Sequence, residues 1–398
     1  MNSRAQRGFS LIEMMVGLAI SLAALMAVGQ IMLAFSQQRA TVTQTMATQS
    51  NGTMALYLLE RDLAQAGYAM IYLQDCDRIH WSWNGTTFNV DPYSTATRPG
   101  SGNVALTTLP VRIYDGATGS DTIDVQYGRP ASGAPVAVIT TGQAGTYGAA
   151  YNLSTLVGLA DQDMVVADEP TPIGTVTNTC TLAQLSRDGS QPVGTSPIDT
   201  ATVSVAHGSA SAFNVTTRPT GTTGWNIAVA NSHLYNLGSF TSRRYTVAVT
   251  GGSWAAATGF RTALQIAEFP AFTASDLVDD IIFLKAQYGI DTNADGAVDQ
   301  WVNGTSAIDN TTVTTVLAVR IGIVARSPLL EKATVEAPAT VSVIPAAAGV
   351  ACTMTDPASG ECGTCAANME VKCTVPDRRY RYKAYSTTIP LRNVIWGR

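Results

Sequence analysis

RGFSLIEMMVGLAISLAALMAVGQIMLAF, residues 7–35, decides how the rest of this 398-residue chain is read. From Phe9 to Phe35 the single formal charge is Glu13. As a helix this run is about 40 Å long, enough to cross a hydrocarbon core of about 30 Å with tilt. A secretory signal has an apolar core of about 7 to 15 residues and a small-residue cleavage site after it, so this segment reads as a retained span. Arg4 and Arg7 precede it and hold the N-terminus inside, which sends the chain beyond Ser36 outward. A carboxylate within such a span costs about 2.5 to 3.5 kcal/mol on insertion scales, which marks Glu13 as functional and in need of a partner.

Past Phe35 the sequence turns polar without a strong breaker. Val42, Met46, Leu56, Leu59, Leu63 and Ala66 fall near three-and-four spacing, while Arg39, Glu60, Arg61 and Asp62 are expected to face water. The helix is therefore expected to continue as an amphipathic one, with Asn51 and Gly52 as its weak point and Gly67 as its stop. Beyond Tyr68, short β-branched or alternating runs such as DTIDVQYG, YTVAVT and TTVTTVLAVRIGIVARS are separated by Gly, Asn, Pro and Ser. That pattern predicts antiparallel sheet, and residues 95–259, rich in Thr, Ser, Gly and Ala, read as an elaborated β-region with long loops. DLVDDIIFLKAQY, residues 276–288, fits either a strand or a short helix.

The leader MNSRAQRG, the Gly8–Phe9 junction, the SLIE that ends at Glu13 and the long apolar helix together resemble the class III signal of type IV pilins and type II secretion pseudopilins. ERDLAQAGY, LKAQYGIDTNADGAVDQW, VLAVRIGIVARS and the C-terminal RRYRYKAYSTTIPLRNVIW are similar to the PilW type of minor pilin. The resemblance implies an α+β, type IV pilin-like fold, a long N-terminal helix packed on a large antiparallel β-rich domain. It divides the chain into a leader (1–8), an assembly helix (9–67) and an extracytoplasmic domain (68–398). It also implies cleavage by a prepilin peptidase after Gly8, methylation of Phe9, and pairing of the new Phe9 amine with Glu13 of a neighbouring subunit. Two costly charges are then tolerated when subunits meet in register. The implied role is in initiating the type IV pilus and in its tip complex, supporting twitching motility and adhesion. The partners are other minor pilins, the major pilin, inner-membrane assembly machinery and a tip adhesin. A J-type pseudopilin of type II secretion and a DNA-binding or adhesive pilin are the alternatives. The resemblance departs at Gly29-Gln30, where many major pilins carry a proline.

GIDTNADGAVDQW sets Asp291, Asn293, Asp295, Gly296 and Asp299 in a D-x-N-x-D-G-x-x-D order. Alternate oxygen ligands with a glycine at the sharp turn suit calcium, the carbonyl of Ala297 taking the next place. The twelfth position is Val302 and not the bidentate glutamate of an EF-hand, so a carboxylate from elsewhere or water must complete the shell; the plain alternative is an Asx-rich turn. Six cysteines suit disulfides outside the cytoplasm. Sequence does not fix their connectivity. The expected pairs are Cys76–Cys180, Cys352–Cys373 and Cys362–Cys365.

A net charge of -5, which becomes -7 when Arg4 and Arg7 leave with the leader, argues against nucleic-acid binding by bulk electrostatics. Arg378, Arg379, Arg381 and Lys383 alternate with Tyr380 and Tyr382, as in a strand with one wet face. His80, His207 and His233 sit in no ligand or nucleophile motif, and no nucleophile elbow or phosphate loop occurs, so no catalytic residue is expected.

Overall fold

The computed structural model describes residues 10–70, 76, 78–83, 86–90, 109–131, 136–141, 150–169, 179–214, 231–250, 261–304, 308, 312–331, 339–346 and 356–395. A rod that leaves lipid and continues in water must bury a stripe somewhere, and in α1 (Leu11–Leu63) the stripe begins at Gln44. Gln44, Thr48, Gly52, Ala55, Leu59 and Leu63 recur at three or four residues and are all buried. One helix face is thereby kept inward. Val42 and Met46, expected on that face, lie on the opposite side and are 52% and 64% exposed.

Gly52 does not kink the helix, which is continuous for 53 residues. The glycine is needed for a close approach instead: a Cβ there would sit 2.1 Å from Cε2 of Tyr385. The helix stops as expected just before Gly67, which has φ of +81°. Its N–H reaches the carbonyl of Gln126 at 2.9 Å. The carbonyls of Gln65 and Ala66 accept from Nδ2 of Asn393, at 3.1 and 3.2 Å, from the short helix α2 (Arg392–Ile395), and that of Gln65 also accepts the Tyr68 N–H at 3.2 Å.

The β-part has four sheets. The sheet beneath α1 runs β16 (Gln300–Asn303), β15 (Ile281–Ile290), β17 (Val316–Arg326), β21 (Tyr382–Pro390). Beside it lies a five-stranded sheet, β14 (Ala274–Asp279), β13 (Arg261–Glu268), β12 (Thr241–Thr250), β4 (Thr122–Tyr127), β3 (Val111–Tyr114). A small sheet orders β18 (Thr340–Ile344), β20 (Val371–Thr374), β19 (Cys362–Thr364). The middle of the chain supplies most of a nine-stranded sheet: β2 (Thr86–Val90), β1 (Arg78–Trp83), β8 (Thr179–Gln184), β7 (Met164–Glu169), β11 (His233–Gly238), β5 (Ala137–Thr141), β6 (Ala150–Leu153), β10 (Ser204–Ala206), β9 (Ile198–Asp199). Among the described strand pairs all are antiparallel except β1 with β8.

β17 explains why VLAVRIGIVAR is nearly unbroken apolar sequence: every residue in it is buried. Strands covered on both faces lose the alternation of a half-wet strand. One face meets α1 in a core that includes Leu59, Leu63, Val319 and Ile321. The other meets β18 so closely that a Cβ on Gly322 would lie 2.4 Å from the carbonyl oxygen of Val343. The DLVDDIIFLKAQY segment proves to be strand on both sides of a turn at Asp280, φ +61°, where the chain passes from β14 at the edge of the five-stranded sheet to β15 in the four-stranded one.

Candidate functional site

The first half of α1 has no cover in the protomer: Leu11, Ile12, Leu18, Leu25 and Phe35 are at least 60% exposed. Its apolar sequence can cross a membrane. Glu13 stands in the first turn, where its carboxylate accepts the Ser10 N–H at 3.0 Å while Ser10 Oγ accepts the Glu13 N–H at 3.2 Å. This capping box places the acid at the positive end of the helix. Gly8 and Phe9 lie outside the described residues.

At the far end, Asp62 departs from expectation. It is fully buried and turned toward the sheet, where Oδ2 accepts the Tyr245 hydroxyl at 2.5 Å and Nη1 of Arg243 at 2.8 Å. Arg243 also reaches Glu268 at 2.7 Å. Burial pulls the guanidinium pKa down, but the hydrogen bond and charge of Asp62 outweigh it and hold Arg243 above its ordinary value. Burial, with Asp62 second, raises that of Tyr245. The network ties α1 to β12, and its signal was in the sequence: Asp62 follows Leu58 and Leu59 and precedes Ala66 at helical spacing, on the buried face.

The ion-loop residues join β15 to β16. Asp291 is 2% exposed, and its carboxylate accepts the amides of Ala294 at 2.6 Å and Gly296 at 3.0 Å. Gly296, at φ +86°, makes the sharp turn. Nδ2 of Asn293 lies 3.2 Å from Asp295 and 3.4 Å from Asp299, so these three side chains are brought together. Asp299 also accepts the N–H and Oγ1–H of Thr292, each at 2.7 Å, and these bonds hold its carboxyl below the ordinary range. Among the described residues no three His, Cys, Asp or Glu side chains form a metal-holding group on their own. The Asn293 amide turns its Nδ2 toward the carboxylates of Asp295 and Asp299, while its Oδ1 accepts the Asp295 N–H at 2.9 Å. Val302 lies in β16 and offers no carboxylate.

Cys76 and Cys180 are bonded as expected. The other pairing is different: Cys362 bonds Cys373. These two face each other in the β19–β20 ladder with Cα atoms 4.0 Å apart. Cys362 and Cys365 are three residues apart along an extended segment, roughly 10 Å, and on opposite faces. Cys365 is also disulfide-bonded. Cys352 lies outside the described residues, and its expected bond to Cys373 is excluded. Of the basic C-terminal run only Lys383 lies in β21, an edge strand of its sheet; Arg378, Arg379 and Arg381 precede it, Arg379 paired with Asp377 at 2.7 Å and Arg381 with Glu331 at 2.6 Å.

Residues 245–393 match the family model of type IV pilus-assembly protein W, and residues 3–29 match the prokaryotic N-terminal methylation motif. At both ends, the chain is similar to type IV pilins of the PilW type. The matched region contains β13 to β21 and the start of α2, including the ion loop and the strands on which α1 is docked. Among solved structures, a type IV-like pilin from Thermus thermophilus is similar over 58% of this chain and 84% of its own, at 12% identity and a TM-score of 0.21. No curated protein matches. The methylation motif and an N-terminal helix apolar enough to cross a membrane fit a membrane-anchored pilin.

Proposed function

We propose that this protein is a minor pilin that initiates assembly and stands in the tip complex of a type IV pilus, where it supports twitching motility and adhesion. The observation that carries this reading is the uncovered apolar half of α1, with one acid at its start, joined rigidly to a PilW domain. In the membrane that half is solvated by lipid; on extraction into a filament it must be covered by other subunits' helices. The prepilin peptidase cuts after Gly8 on the cytoplasmic side, Phe9 is methylated, and the freed amine replaces Ser10 as partner of a neighbour's Glu13. The β-rich domain lies in the periplasm before assembly and outside the cell after it. Glu13→Ala is expected to leave processing and insertion intact and to abolish surface pili. Unchanged pilus number in that variant refutes the reading. A type II secretion pseudopilin shares the N-terminal features, and a deletion that loses exoprotein secretion while keeping pili identifies it.

We further propose that the Asp291–Asp299 loop binds calcium through Asp291, Asn293, Asp295, the Ala297 carbonyl and Asp299. Convergence of Asn293, Asp295 and Asp299 about the turn at Gly296 supports this.

A further inference from the structure

The loop that leaves β17 carries three consecutive exposed apolar residues, Pro328, Leu329 and Leu330. Leu329 is 61% and Leu330 40% exposed. The loop is held at both ends by the segment that enters β21: the Ser327 N–H donates to the Arg381 carbonyl at 2.8 Å and the Glu331 N–H to that of Arg379 at 2.9 Å. The tip is thus a formed feature with its leucines uncovered. The same segment brings Arg379 and Arg381 to the loop, and Arg378 and Lys383 beside them are exposed. Asp377 and Glu331 offset Arg379 and Arg381. In a chain of net charge -5, a run of four cations around an apolar tip stands out.

Two contacts fix where this tip lies relative to the membrane span. Gly52 packs against the ring of Tyr385, and the carbonyls of Gln65 and Ala66 meet Asn393. β21 therefore climbs with α1 away from the span, and its first residues are on the membrane side of the domain. Gly52 is about 25 Å beyond Phe35 along the helix. Arg381, which precedes Tyr385 along the strand, is up to about 13 Å nearer the span. A headgroup layer about 5 to 7 Å thick covers part of the remaining gap. The apolar run of about 40 Å exceeds the hydrocarbon core by about 10 Å and is accommodated by tilt, which lowers one side of the domain onto the surface. Arg39, exposed on α1, is about 6 Å beyond Phe35 and within that layer.

Exposed leucines ringed by arginine and lysine have the composition of a segment seated where acyl chains meet anionic headgroups. The span puts a bilayer below this tip before any other subunit arrives. We propose that residues 328–330, with Arg378, Arg379, Arg381 and Lys383, dock the domain on anionic phospholipid of the leaflet from which α1 emerges. This rests on the membrane-anchored part of the reading above, and it adds a contact that must break when the subunit is drawn out of the bilayer.

The test uses the full-length protein in vesicles of equal parts phosphatidylcholine and phosphatidylglycerol, with a nitroxide on Leu329→Cys. Among the described residues no cysteine is free, so the introduced thiol takes the label. The measurement compares its collisions with oxygen, which concentrates in lipid, and with a water-soluble nickel chelate. The label is expected to favour oxygen several-fold more than one on Val193→Cys, at a site 92% exposed. Arg378→Glu with Lys383→Glu, and vesicles of phosphatidylcholine alone, are each expected to halve that preference or more. A label on Leu25→Cys, at a site 69% exposed on the span, checks the anchor. Lipid contact at 25 with water contact at 329 leaves the anchor standing and overturns the docking; water contact at both overturns the anchored reading as well. A label at 329 shielded from both reagents reports a protein contact and overturns the proposal, as does an oxygen preference that neither charge reversal nor neutral lipid lowers.

Discussion

Asp62→Ala removes the acceptor at the centre of the contact between α1 and β12. Breaking a buried pair from one side costs about 3 to 5 kcal/mol, because the remaining charge is left without its partner. Arg243 retains Glu268, but that carboxylate is 57% exposed, and such pairs contribute about 1 kcal/mol or less. Tyr245 also loses its acceptor, a loss of about 1 to 3 kcal/mol for a buried hydroxyl. The two losses share one oxygen and do not add. We expect a total of about 4 kcal/mol. At about 2 °C per kcal/mol for a domain of this size, the melting midpoint falls by roughly 8 °C. Scanning calorimetry of the detergent-solubilised full chain measures it, with Arg243→Ala and the double variant completing a cycle. A drop below about 1 kcal/mol, or a coupling energy near zero, would mean that α1 is held by apolar packing alone and would refute the reasoning.

His207 is fully buried and stacked on Tyr151 with ring centroids 4.3 Å apart, and burial lowers its pKa from 6.5 to about 4. Its folded pKa lies below the unfolded one, so its contribution to stability is present above about pH 6.5 and is lost as pH falls toward 4, by roughly 3 kcal/mol at most. His207→Phe should flatten the melting curve against pH over that window, and an unchanged slope counts against it. Cys362→Ser with Cys373→Ser, which opens a loop of sequence separation 11, should cost about 3 kcal/mol by chain entropy. Non-reducing peptide mapping that finds Cys362 joined to Cys365 would contradict the ladder pairing. Calcium at a hundred times its dissociation constant should stabilise the protein by about 2.7 kcal/mol over chelator, and Asp295→Ala should remove the gain. Equal melting temperatures in calcium and chelator leave only a turn.

The parts legible in the sequence are those fixed by local chemistry. The span, its single acid, the stop at Gly67 and the strand runs follow from hydropathy, spacing and turn residues. What escaped was fixed by distant parts of the chain. Val42 and Met46 fit an inward stripe by spacing alone, but Tyr385, more than 300 residues away, chose the face that contains Gly52. Asp62 looked solvated because it is charged, and Arg243 and Tyr245 on β12, with Arg61 beside it at 3.3 Å, make its burial tolerable. The cysteine pairing turned on strand register, which places Cys362 opposite Cys373 and is not written in the spacing of CGTC. The ion loop was legible as a turn because the side-chain hydrogen bonds that shape it run between residues 291 and 299.

The cap that Asn393 places on Gln65 and Ala66 has a consequence for biogenesis. Synthesis proceeds from the N-terminus, so the helix is made long before residue 393 appears. Until it does, the distal carbonyls of the rod have no finished seat, and the docking surface built from β17 and β21 is missing as well. A truncated or stalled product would therefore display an unclasped rod, open to proteolysis. Only a fully delivered chain would present a rod rigid enough to be drawn into a fibre.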